Sequence, residues 1–247
     1  MTFCIAMKVT DGLVGLADTR VTTGAEVTTA RKVAIIQHGR HSMFIMTSGL
    51  RSVRDKALAY FNEVLEEKDA SFDKLYKAVN AFGEQIRRVR QEDREALEEA
   101  GLPFNLHCII GGQLENDPEH KLYLLYPQAN WVEVSQGTPY FVIGESSYGK
   151  ALLDRALKYE SGMEMALKIG VVAFDATKKA ANDVDYPVDV VLYRPGVFRT
   201  VQHRYYAEDL AEVGKWWHEH IVDLIRDLPC EWTHPVLDQL RETTGTI

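Results

Sequence analysis

Apolar positions alternate from the start of the chain: Phe3, Ile5, Met7 and Val9 would occupy one face of a strand, with Cys4 and Ala6 on the other. Asp11-Gly12 separates this run from Leu13-Val14-Gly15-Leu16-Ala17 and is a two-residue hairpin signal. A second hairpin is predicted between Val33-Ala34-Ile35-Ile36 and Met43-Phe44-Ile45-Met46, turning at His38-Gly39-Arg40. Four strands in succession predict an antiparallel sheet.

After Thr47-Ser48-Gly49 the period changes. Ser52 is placed to cap a helix running to about residue 65. A longer helix carries Phe72, Leu75, Val79, Phe82, Ile86 and Val89 at steps of three and four, and stops near Gly101-Leu102-Pro103. These two helices are expected to pack as an antiparallel pair on one face of the sheet. Short β candidates at residues 106–110, 122–126, 131–134 and 140–143 read as a second meander sheet. Two further helices are predicted, at residues 148–159 and from a capping box at Ser161 and Glu164. Strands at 188–193 and 198–202 precede a last helix with Leu210, Val213, Trp217, Ile221 and Leu224 on one face. The order of elements predicts an α+β fold, a four-layer αββα sandwich with two antiparallel sheets between helix layers, formed as a single domain over residues 1–247.

Composition narrows the function classes. Of the 247 residues, 46% are hydrophobic and 26% charged, ordinary values for a globular chain. No apolar run approaches the ~18 residues of a membrane span, and Asp11 and Asp18 interrupt the first apolar stretch, so no secretory signal is read and a cytoplasmic location is expected. A formal charge of −8 argues against a nucleic-acid partner. Cys4, Cys108 and Cys230 have no paired spacing and are expected to be buried thiols. His218 and His220 flank Glu219, but residues two apart on a helix point to different sides, so no metal site is expected there.

The chemistry begins at Thr2. Were Met1 removed, one residue would carry a hydroxyl nucleophile and an α-amine of pKa ~7.7–8.0 able to accept its proton. Such a residue needs a lysine and a carboxylate nearby. The chain supplies Gly15-Leu16-Ala17-Asp18-Thr19-Arg20 at the end of the hairpin's return strand, Arg31-Lys32 before a strand, and Thr47-Ser48-Gly49 before a helix.

This succession resembles the proteasome β-subunit superfamily of N-terminal nucleophile hydrolases over essentially the whole chain. Residues 144–150, Gly-Glu-Ser-Ser-Tyr-Gly-Lys, with Leu153-Asp154-Arg155, resemble its bacterial ancestral β-subunit branch. The resemblance implies a threonine peptidase. Thr2 matches the nucleophile, Lys32 the catalytic lysine and Asp18 the aspartate that orients it. Gly49 matches the glycine whose N–H holds the oxyanion. Arg20, Thr22 and Ser48 match positions along the substrate cleft. A serine and a later aspartate near the amine correspond to Ser146 or Ser147 and to Asp183 or Asp185, with Ser146 and Asp183 preferred.

The resemblance further implies a peptide or unfolded-protein substrate, no cofactor or metal, and a homo-oligomer formed through helix faces, for which the Trp216-Trp217 helix and the 72–89 helix are the candidates. An unfoldase partner stays unassigned. Hydrolysis of small acylated substrates on the same fold, or a non-catalytic assembly protein, are the alternatives.

Overall fold

The computed structural model describes residues 2–23, 26–68 and 72–244, which fall into two compact units divided between Ala207 and Glu208. The first unit holds two five-stranded antiparallel sheets. One has the order β10-β1-β2-β11-β12, with β1 (Phe3–Val9), β2 (Gly12–Asp18), β10 (Tyr140–Gly144), β11 (Val188–Tyr193) and β12 (Thr200–Tyr205). The other runs β5-β6-β7-β8-β9, with β5 (Val33–His38), β6 (His41–Gly49), β7 (Leu106–Gln113), β8 (Lys121–Leu125) and β9 (Trp131–Glu133). A separate two-stranded ribbon pairs β3 (Arg20–Thr23) with β4 (Glu26–Thr29). With helices packed outside each sheet, this is the fold of the N-terminal nucleophile hydrolases.

The alternation at the start of the chain explains the layering. Cys4 and Ala6 join Phe44, Met46, Ile109, Leu122, Val191 and Tyr193 in the core between the sheets. The opposite face of β1 meets α4 (Met163–Ala180): the Phe3 and Phe174 rings are 6.3 Å apart, and a Cβ on Gly170 would fall 2.9 Å from the Met7 methyl. A strand covered on both faces excludes water along its whole length, and every residue of β1 and β2 is buried. On the far side, α1 (Arg51–Lys68) and α2 (Leu75–Glu99) cover the second sheet through Val53, Phe61, Val79, Phe82 and Ile86. Asp117 accepts the Leu75 N–H at 2.8 Å and the Leu114 N–H at 2.9 Å, closing the first turn of α2.

Several expectations are corrected. The two N-terminal hairpins lie in different sheets: β1–β2 in one, β5–β6 in the other. The strand at residues 140–143 belongs to the first sheet, paired with β1 from Phe3↔Gly144 to Met7↔Tyr140, not to the meander. The capping box is not formed. Ser161 Oγ accepts the Lys158 N–H, and it is Asp11 that receives the Met163 N–H at the start of α4. The helix at 148–159 is shorter, α3 (Lys150–Ala156). The apolar stripe of α2 is internal core and so is not an oligomer contact.

The second unit consists of α5 (Ala211–Arg226), a 3-10 turn and α6 (His234–Thr244). No residue of α5 is fully buried, and Trp216, Leu224, Ile225 and Trp232 are exposed. Cys230 is exposed as well, contrary to expectation, while Cys4 and Cys108 are buried. Among the described residues no helix is long and apolar enough to cross a membrane.

Candidate active site

Strand ends build the site. Asp18 closes β2, where its neighbour across β1 is the start of the chain, and its Oδ1 accepts the Phe3 backbone N–H at 2.8 Å. Lys32 stands one residue before β5. The Thr47 N–H donates to its carbonyl at 3.0 Å, which extends the β5–β6 ladder by one rung past Val33↔Met46. Lys32 Nζ then uses its three donors on Asp18 Oδ1 at 2.7 Å, Asp18 Oδ2 at 2.8 Å and the Arg20 carbonyl at 2.7 Å. Neither member of the pair is open to solvent: Asp18 is 0% and Lys32 5% exposed. Burial pushes the Asp18 carboxyl above its usual range, and the Lys32 ammonium draws it part of the way back.

Thr2 is anchored through its main chain. Its carbonyl accepts the Glu145 N–H at 2.6 Å, one rung beyond Phe3↔Gly144. Gly144, at φ +88°, approaches so closely that any Cβ there would collide with the Thr2 carbonyl. Gly49, the last residue of β6, has φ +135°, and a Cβ there would run into the Asn105 carbonyl. Only glycine fits either position, and both border the same cleft.

That cleft has a volume of ≈ 350 Å³ and gathers Thr2, Arg20, Thr22, Lys32, Ser48 and Gly49. Asp18 lies beneath it, bonded to Lys32. The Asp183 carboxyl titrates below the usual carboxylate range and hydrogen-bonds with Thr22. Asp185 instead pairs with Arg20 at 3.0 Å. Ser146 and Ser147 are exposed in the turn after β10, outside the residues that line the cleft, and the Ser147 N–H donates to Glu145 Oε1 at 2.9 Å. Sequence reasoning missed Val21, Thr47, Arg51, Arg54, Asn105, Leu106 and Gly144 as cleft residues. Gly144 had a usable signal, a glycine ending a strand; Asn105 had none, because it arrives from the far end of the α1–α2 excursion.

The Cys4 thiol, two residues from Thr2, is raised in pKa by burial and stays protonated, so it does not compete as a nucleophile. Among the described residues no three His, Cys, Asp or Glu side chains converge as a metal site. His220 stacks on Trp216 at 3.9 Å.

The family model for proteasome subunits matches residues 2–192. The chain belongs to the proteasome subunit family. The match starts at Thr2 and takes in all the residues that meet at the cleft. Comparison with curated proteins found no matching sequence. Solved structures of Anbu, the ancestral β-subunit, are similar to this proteasome-family chain over 92% of its length. The Yersinia bercovieri protein is 28% identical with TM-score 0.85 and 98% of its own chain covered. The helical assembly of the Anbu complex from Pseudomonas aeruginosa is 26% identical, with TM-score 0.86 and 97% covered. A Gly-1 mutant of Anbu from a Hyphomicrobium species is 26% identical, with TM-score 0.85 and 99% covered.

Proposed function

We propose that this proteasome-family chain is a threonine peptidase that acts through Thr2 once Met1 has been removed. The observation carrying this reading is the buried Asp18–Lys32 pair, which holds an ammonium at the floor of the cleft that Thr2 borders. A cation there disfavours protonation of a nearby α-amine and keeps it a working base near neutral pH.

In the proposed cycle, Thr2 Oγ attacks the scissile carbonyl and its proton passes to the Thr2 amine, usually through a water. The Gly49 N–H stabilises the tetrahedral oxyanion. Collapse breaks the C–N bond as the ammonium returns the proton to the leaving amine, and the acyl group stays as an ester on Thr2. Water then adds to the ester with the amine again as base, releasing the carboxylic acid and restoring the hydroxyl. Asp18 keeps Lys32 in place. Asp183, hydrogen-bonded with Thr22, would hold the Thr2 amine once Met1 is gone.

Self-association is part of the reading. The Pseudomonas aeruginosa relative forms a helical assembly, and the exposed apolar residues of α5 in this chain, Trp216 and Leu224 among them, suit a contact between copies.

The test is intact mass followed by an electrophile selective for N-terminal threonine. Loss of one methionine mass and a stoichiometric adduct on Thr2, absent in Lys32→Ala, are expected. An intact Met1, or a terminal Thr2 that does not react, would replace the peptidase reading with that of a non-catalytic assembly protein.

A further inference from the structure

The charges around the cleft are not those of the molecule as a whole. The chain carries a formal charge of −8, yet among the described residues four basic side chains, Arg20, Lys32, Arg51 and Arg54, line this cleft and no carboxylate does. Two of them are neutralised from outside it: Lys32 by Asp18, and Arg20 by Asp185. Arg51 and Arg54 must share one carboxylate. Asp55 takes Arg54 at 2.6 Å and Arg51 at 3.4 Å, while Arg54 Nη1 also donates to the Arg31 carbonyl at 2.9 Å. Arg51, held at the longer distance, is therefore the less engaged guanidinium at the cleft wall.

Its place in the chain is informative. Arg51 follows Gly49 by two residues and opens α1, whose first turn holds no acidic residue. Cations at a helix N-terminus oppose the macrodipole, so local stability does not account for two arginines there. A substrate carbonyl held by the Gly49 N–H would place the side chain of its own residue, which branches one bond from that carbonyl, next to this turn.

We infer that the cleft selects peptides in which the residue supplying the scissile carbonyl bears a carboxylate, aspartate or glutamate, recognised by Arg51 and Arg54. This rests on the Thr2 hydrolase reading for the position of the scissile bond. Recognition is by charge more than shape: the arginine fork matches a carboxylate in two-point hydrogen bonding, while glutamine, of the same size, offers one acceptor oxygen and no charge.

The experiment compares acylated fluorogenic peptides that differ only in the last residue, Glu, Gln, Leu or Lys, cleaved by the assembled wild-type protein. We expect kcat/KM for Glu to exceed that for Gln by about tenfold or more, with an advantage that shrinks as salt rises. Arg51→Glu should reverse the order of the Glu and Lys peptides. Labelling of Thr2 by a small neutral vinyl sulfone reports in each variant whether the nucleophile is still formed. Equal cleavage of Glu and Gln peptides, or an unchanged Glu-to-Lys ratio in Arg51→Glu with labelling intact, overturns the inference. If no peptide is cleaved and the vinyl sulfone does not label wild-type Thr2, the hydrolase reading fails by itself. Calorimetric binding of the uncleaved peptides then decides the charge preference: tighter Glu than Gln binding, lost in Arg51→Glu, upholds it, and equal binding overturns it.

Discussion

Asp18 Oδ1 accepts two hydrogen bonds, from Lys32 Nζ at 2.7 Å and from the Phe3 N–H at 2.8 Å, so one atom ties the buried lysine to the first strand residue. Cleft chemistry and strand register are coupled through it, and either partner's loss disturbs both.

Asp18→Ala leaves the Lys32 ammonium buried without its counter-charge. Removal of one partner from such a pair typically costs ~3–5 kcal/mol, whereas an apolar pair of similar volume is often tolerated. Urea unfolding is expected to show a loss of this size for Asp18→Ala and a smaller one for Asp18→Leu combined with Lys32→Met. Thr2 labelling should vanish in both. A double variant that still reacts would mean that the pair serves stability alone.

Gly144→Ala must move the Thr2 carbonyl or break the rung to Glu145. A cost of ~1–3 kcal/mol is expected from the positive φ, together with slower labelling of Thr2. Gly137 has open space around it, and Gly137→Ala should stay within ~0.5 kcal/mol of wild type by the same unfolding assay.

Two carboxylates of this site should titrate in opposite directions from the ordinary ~3.9 of aspartate. Asp18 is raised by burial, so between its unfolded and folded pKa the native state holds the extra proton and its contribution to stability falls as pH rises through that window. Asp183 is lowered, so its stabilisation is present above its unfolded pKa and is lost as pH falls through its folded one. Carboxyl-carbon NMR of aspartate-labelled protein, assigned with Asp18→Asn and Asp183→Asn, reads both. A single shared midpoint would contradict the site geometry.

If copies associate through α5, replacing Trp216 and Leu224 by serine should lower the sedimentation coefficient at fixed concentration. Both side chains are exposed, 57% and 62%, so the fold of the single chain has little to lose. An unchanged sedimentation profile would place any assembly contact elsewhere.

The elements near the site were largely legible because their signals are local. The alternation at Phe3 to Val9 and the Asp11-Gly12 turn specify β1 and β2, and the steps of three and four through Val79, Phe82 and Ile86 specify α2. The β3–β4 ribbon is not foreseen because Arg20 to Thr29 offers no apolar alternation, whereas α6 is not foreseen although Val236, Leu237 and Leu240 recur at helical spacing. Of the residues expected at the site, Thr2, Arg20, Thr22, Lys32, Ser48 and Gly49 meet at the cleft, while Ser146 and Ser147 lie outside it.

By itself the sequence determined most of the strands and helices that surround the cleft, since periodicity is written residue by residue along the chain. Which sheet a strand joins is a matter of long-range pairing, and only the tertiary structure put β10 beside β1 and divided the two early hairpins between sheets. The same holds for charge. Arg51, Arg54, Asp55 and Lys32 can be read as charged from the sequence, but which of them is neutralised depends on the partner the fold brings within hydrogen-bonding reach, and that left positive charge on the wall of the cleft beside Thr2.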